Sequence, residues 1–118
     1  MILSVCFNLE NVEFEQSEAA IEKFLKLRAK KTPKGRSCGS VFKNDGYFAG
    51  KLIEQSGMKG VSFGGATVSE KHANFIIADK TAKSSDVYRL IRKIKDAVKQ
   101  KTGVELKEEL KFIGEFND

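Results

Sequence analysis

The sequence is poor in the residues that build metal sites and covalent staples, with two cysteines and a single histidine in 118 residues. Cys6 and Cys38 form no CxxC pair and, even with His72, fall short of a Cys/His cage, so structural zinc is excluded. A chain of this length buries about two thirds of its unfolded surface, and no disulfide is required to hold it. No apolar run approaches the roughly 18 residues of a membrane helix. The opening MILSVCFNLE also lacks the basic region and small-residue cleavage site of a secretory signal. A reduced, cytoplasmic setting without membrane contact is expected. Walker phosphate loops, GxGxxG turns and GxSxG elbows are absent too; Ser37-Cys38-Gly39-Ser40-Val41 does not make an elbow. Serine-hydrolase chemistry is disfavoured, and any redox cofactor must be held by another polypeptide segment.

Acids are missing from one stretch. Between Glu22 and Asp45 there is none, while Lys23, Lys26, Arg28, Lys30, Lys31, Lys34, Arg36 and Lys43 contribute eight of the cations behind a net charge of +5. Such a run is either a solvated helix face with a basic loop or a field that draws in a phosphate- or carboxylate-bearing partner. Acids return at Glu105, Glu108, Glu109 and Glu115, which makes a nucleic-acid coat less comfortable.

What is present reads as one domain with alternating helices and strands. Leu3, Val5, Phe7 and Leu9 alternate with Ser4, Cys6 and Asn8, the pattern of a half-buried strand. Ser17 is placed to cap a helix reaching about Lys30, with Ile21, Phe24 and Leu25 as its buried stripe. Pro33 and Gly35 end it, and residues 31–38 read as an exposed loop leading to a short strand at 39–43. Asn44 or Asp45 precedes a short helix carrying Phe48, Ala49, Leu52 and Ile53, closed by Gly57. Residues 61–68 read as a strand interrupted at Gly64 and Gly65, a bulge or a close backbone approach. The apolar run 73–78 predicts a strand covered on both faces. Val87, Leu90, Ile91, Ile94 and Val98 predict the clearest helix, ending at Gly103. Alternation over 104–116 predicts a terminal strand pair or one long strand. The expected class is α+β, a mixed or antiparallel sheet with packed helices in a single domain.

Few residues suggest chemistry by themselves. Ser40 sits where the basic loop meets a strand, able to present its hydroxyl to an anion or simply to make a turn. Glu108 and Glu109 point to opposite faces of an extended chain, so only one can serve a given site; periodicity does not choose between them. His72 stands at a loop edge, suited to a local hydrogen bond or to a ligand. Cys38 lacks a plausible base.

Read together, four ordered blocks resemble the UDP-N-acetylenolpyruvoylglucosamine reductase family. They are Ser37-Cys38-Gly39-Ser40-Val41-Phe42-Lys43-Asn44; Ala49-Gly50-Lys51-Leu52-Ile53-Glu54 with Gly57-Met58-Lys59-Gly60; Gly64-Gly65-Ala66-Thr67-Val68-Ser69-Glu70-Lys71-His72-Ala73-Asn74-Phe75-Ile76; and Gly103-Val104-Glu105-Leu106-Lys107-Glu108-Glu109-Leu110. Ordered blocks at compatible spacing are far more specific than one glycine motif. Residues 2–9 are similar to the strand that leads into this region. The resemblance implies that residues 1–118 are the C-terminal substrate-binding domain, with the FAD-binding domains absent from this chain. It also implies an oxidoreductase that uses NADPH and FAD to reduce UDP-N-acetylglucosamine enolpyruvate during peptidoglycan and cell-wall synthesis. No cofactor is expected on this chain alone, whose partners would be the UDP-sugar and the missing flavin-binding portion.

By the same resemblance, Ser40 matches the serine that donates a proton after hydride addition. Glu109, not Glu108, matches the glutamate that assists at the substrate carboxylate or developing enol. Lys31 is implied near the UDP phosphates, Asn44 as a polar substrate contact, and His72 beside substrate. Asp45 stands where the family usually has proline. The alternative expectation from charge alone is a small basic nucleic-acid-binding module.

Overall fold

The computed structural model describes residues 2–116. They form helices α1 (Phe14–Lys31), α2 (Ala49–Gln55) and α3 (Ser84–Thr102), with short strands β1 (Ser62–Phe63), β2 (Ala66–Val68) and β3 (Ile76–Ala78). The chain divides into two units, Met1–Lys30 and Lys31–Asp118.

In the second unit, Leu90, Ile91, Ile94 and Val98 recur on one face of α3 and are buried. Each such side chain contributes about 1.5–3 kcal/mol over leaving it in water. α3 packs on β1, β2 and α2, and Ala49, Ile53, Met58, Ala66, Val68 and Ile76 join its buried face in a core that also takes in Val41, Phe42, Ala73 and Leu106. The strands form an antiparallel sheet in the order β1-β2-β3, with Phe63 opposite Ala66 and Val68 opposite Ile76. This is the expected α+β class, with the antiparallel alternative realised.

The Gly64-Gly65 interruption is the turn between β1 and β2, and it is also a close approach. A Cβ on Gly65 would lie 2.5 Å from the Ala82 nitrogen, and Gly64 has φ +53°. The turn is tied to the start of α3 by Asp86, whose Oδ2 accepts from the N–H groups of Lys83 (3.0 Å) and Gly65 (3.3 Å). At the other end, Gly103 takes φ 75° and its N–H donates to the Lys99 carbonyl at 2.9 Å, the left-handed closure that glycine permits.

Several expectations fail locally. Residues 2–9 form no strand, and Leu3, Val5, Phe7 and Leu9 are 65–89% exposed; alternation makes a strand only where another strand completes the ladder. α1 starts ahead of Ser17, and the stripe expected to be buried, Ile21, Phe24 and Leu25, is exposed. β3 is shorter than 73–78 because residues 72–75 close a turn, the Phe75 N–H donating to the His72 carbonyl at 3.0 Å. Its two-sided cover is also incomplete, since Ile77 and Ala78 are only half-buried. The tail forms a single bridge, Phe42 to Glu108, in place of a strand pair. Beyond Leu110, Phe112 and Phe116 gather on Tyr88 of α3, with ring centroids 5.2 and 5.1 Å away, and this pulls the chain off the ladder.

Gly65→Ala is expected to cost about 1–3 kcal/mol, because fixed backbone faces the added methyl; an unchanged urea midpoint would contradict the packing described. Asp86 is held below the usual carboxylate range by the Lys83 N–H, then by the Gly65 N–H. Its stabilisation is full above the unfolded carboxylate value and is lost as pH falls through the lowered one. Asp86→Asn should therefore flatten the drop in urea midpoint between about pH 6 and about pH 3.

Candidate functional site

The site begins with a polar residue inside an apolar run. Asn74 is 3% exposed, and its side-chain amide pairs with Phe42 as another backbone would. Oδ1 accepts from the Phe42 N–H at 2.9 Å, and Nδ2 donates to the Phe42 carbonyl at 2.8 Å. The Asn74 carbonyl also accepts from the Val41 N–H at 2.9 Å. Three bonds thus fix residues 41–42 and, one position earlier, Ser40, which bridges Phe75 and is half-buried. On the other edge of this segment the Glu109 N–H donates to the Val41 carbonyl at 2.8 Å, and Lys43 N–H to the Lys107 carbonyl at 2.9 Å. The backbones that carry Ser40 and Glu109 are therefore adjacent.

The same asparagine governs His72. Its backbone N–H donates to His72 Nδ1 at 3.2 Å, so Nδ1 carries the lone pair and the neutral ring keeps its proton on Nε2. The ring meets Phe75 edge-on at 5.0 Å. Ser69 Oγ accepts from the N–H groups of Lys71 (3.1 Å) and His72 (3.3 Å), shaping the turn that presents the ring. Gly50 of α2 lies against it; a Cβ there would sit 3.2 Å from His72 Cε1.

His72 and Asn44 line one depression of about 260 Å³, with Gly50, Lys51, Glu54, Lys59 and Lys71. Asn44 Oδ1 accepts from the Ala49 N–H at 3.0 Å. Three ammonium groups stand against one carboxylate, Glu54, and that acid pairs with Lys59 at 2.8 Å. The surplus positive charge suits a multiply charged anion. Lys71 Nζ also donates to the Thr32 carbonyl at 3.0 Å, holding the residue next to Lys31.

The five expected site residues thus fall into two pairs and a lone lysine. Asn44 and His72 meet in the depression; Ser40 and Glu109 lie on neighbouring extended segments and do not line it; Lys31 ends α1 and is exposed. The cations of the depression come from none of the eight in the acid-free stretch. Lys51, Lys59, Lys71 and Asn74 are the residues that sequence reasoning left unassigned. Asn74 carried a signal, as the one amide in the apolar run. Glu108 is half-buried and bound to Lys95 of α3 at 2.8 Å, whereas Glu109 is exposed. Asp45 pairs with Lys107 at 2.7 Å. The Lys107 hydrogen bond and charge hold the Asp45 carboxyl below its usual range and raise the lysine.

Fold and site together define a small α+β domain with a lysine-lined recess. Residues 30–113 match the profile of the UDP-N-acetylenolpyruvoylglucosamine reductase C-terminal domain, and the chain belongs to that family. The UDP-N-acetylenolpyruvoylglucosamine reductase of Clostridium beijerinckii is 44% identical over 117 residues, covering 98% of this chain and 38% of its own length. That of Caldanaerobacter subterraneus is 45% identical over 117 residues, with 98% and 39% covered. The crystal structure of UDP-N-acetylenolpyruvylglucosamine reductase from Thermus caldophilus superimposes with a TM-score of 0.71 at 34% identity, over 86% of this chain and 37% of that one. The chain spans well under half the length of these relatives. No helix among the described residues is long and apolar enough to cross a membrane.

Asn74→Ala should cost about 1–3 kcal/mol for each Phe42 group left unpaired. It should also raise amide exchange at residues 41–43 more than in α3. Equal exchange in both places would remove Asn74 from its bracing role.

Proposed function

We propose that this chain is the UDP-sugar-binding and proton-donating domain of an NADPH- and FAD-dependent reductase. Its substrate would be UDP-N-acetylglucosamine enolpyruvate, and its product the UDP-N-acetylmuramate of cytoplasmic peptidoglycan synthesis. The observation that carries this reading is the meeting of Asn44 and His72 with Lys51, Lys59 and Lys71 in one recess. The lysines would neutralise a diphosphate, while the Asn44 amide and His72 Nε2–H supply directional donors. Lys31 would reach the phosphates from the segment that Lys71 anchors.

Ser40 is the proposed acid. After hydride addition the adjacent substrate carbon bears an electron pair; that pair takes the hydroxyl proton, a C–H bond forms, the O–H bond breaks, and the charge moves to the serine oxygen. A serine hydroxyl does this only where donors or cations stabilise the resulting alkoxide. Glu109 would act at the substrate carboxylate or enol, its position set by the Val41 bond. FAD does not fit this chain: a three-strand antiparallel sheet has no strand–turn–helix cradle for a dinucleotide pyrophosphate. Its holder would be the portion of the reductase that this chain does not span. The matches described above lend no support to the nucleic-acid-binding alternative.

Two measurements test the proposal. Titration with UDP should perturb residues 50–51 and 71–72, and Lys51→Ala should weaken binding about tenfold, the loss of one charge-assisted contact. With a relative's flavin-bearing portion, NADPH and enolpyruvyl substrate, Ser40→Ala should lower turnover about 10²–10⁴-fold while UDP affinity holds. Equal turnover would remove Ser40 from the mechanism, and binding of unrelated nucleic acids without UDP binding would favour the basic-module alternative.

A further inference from the structure

One ion pair of the second unit joins segments that are held together without it. Asp45 Oδ2 and Lys107 Nζ meet at 2.7 Å, and both side chains are more than half exposed. The two segments are fixed by other contacts. The Lys43 N–H bonds to the Lys107 carbonyl and the Glu109 N–H to that of Val41. Leu106 is buried, Glu108 is paired with Lys95, and the Tyr47 hydroxyl makes a longer contact, 3.4 Å, with the Glu105 carbonyl. What the exposed pair decides is where one ammonium group goes.

That ammonium has a second carboxylate in reach. Residues two apart on an extended segment point to the same side, about 6.6 Å apart along the chain. The tail follows this alternation: Leu106 is buried and Glu108 half-buried, while Glu105, Lys107 and Glu109 are exposed. Lys107 therefore stands beside Glu109, a distance its flexible stem spans. Among the described residues Glu109 forms no ion pair. Lys43, across the ladder, and Lys111, two positions beyond Glu109, are the neighbouring cations. The cation with both acids in reach is held by Asp45, which leans on the tail from a turn where Gly46 takes φ 74°.

We propose that Asp45 is a positioning residue for Glu109, holding the Lys107 ammonium toward the turn after Asn44 so that the Glu109 carboxylate stays free for substrate. The inference rests on the reductase reading, in which Glu109 works at the substrate carboxylate or developing enol. With Asp45 neutral, Lys107 would swing to Glu109, and that acid would meet substrate already paired. The same change removes a negative charge next to Asn44, at the edge of the recess, so it would not weaken an anionic ligand. Turnover and affinity are thus expected to separate.

Asp45→Asn and Lys107→Ala test this singly and together. In the chain itself, a nuclear Overhauser contact between Lys107 Hε and Glu109 Hγ should be absent from the parent and present in Asp45→Asn. Turnover is read in a chimaera in which this chain replaces the matching segment of the Clostridium beijerinckii reductase. There Asp45→Asn should lower kcat about two- to fivefold, the range an exposed ion pair spans, with KM unchanged or lower. Asp45→Glu and Lys107→Ala alone should keep parental turnover. Adding Lys107→Ala to Asp45→Asn should restore kcat, because no competitor for Glu109 remains; a purely structural clasp would stay slow or become slower. A missing Overhauser contact in Asp45→Asn, parental kcat or raised KM in that variant, or a double variant without recovery would each overturn the proposal. Loss of turnover in every form, parent included, would count against the reductase reading, while the Overhauser contact reads the placement of Lys107 independently of it.

Discussion

The second unit depends on one buried amide. Without the Asn74 side chain, the N–H and C=O of Phe42 would be buried without partners, each at a cost of about 1–3 kcal/mol. With it, residues 40–43 are anchored on one side to the turn after Ser69 and on the other to the tail. The same residue's backbone selects the tautomer of His72. A proton donor candidate, a carboxylate candidate and a ring donor on three separate segments are therefore referred to one rigid point, as a preorganised site requires.

Electrostatics near the recess is assembled from residues distant in sequence. The acid-free stretch gives four cations to α1 and its neighbours in the first unit, where Lys26 pairs with Glu22 at 2.6 Å. The recess draws instead on α2, the turn before β1 and the turn before β3. Asp45, a negative charge one residue beyond Asn44, is paired with Lys107. This exposed pair contributes little to stability, but it locally offsets the added charge.

Periodicity made the interior of the second unit legible: Leu90, Ile91, Ile94 and Val98 announce α3, and the glycine pair announces a tight approach. The same reasoning misread residues 2–9 and α1, because a pattern marks where apolar side chains fall without supplying a surface to cover them. It overextended the tail for a different reason. Phe112 and Phe116 both reach Tyr88, 24 and 28 positions earlier, which no local window sees. The placement of Ser40, Glu109, Asn44 and His72 came from the resemblance in ordered blocks; spacing alone left the choice between Glu108 and Glu109 open. The lysines of the recess were invisible because only the turn at Gly57 and Gly60 and the turn at residues 69–75 bring them together.

The bond from Lys95 to Glu108 bears on how the tail tolerates change. It moors the even-numbered side chains inward on α3, and the pleat turns their odd-numbered neighbours to solvent. Deleting or inserting one residue between Gly103 and Leu106 would shift the frame by half a repeat. The two adjacent glutamates would then trade places, one dragged under the helix and the other thrown outward, with composition almost unchanged. Length in that connector, more than the identity of its side chains, is the quantity selection has to guard.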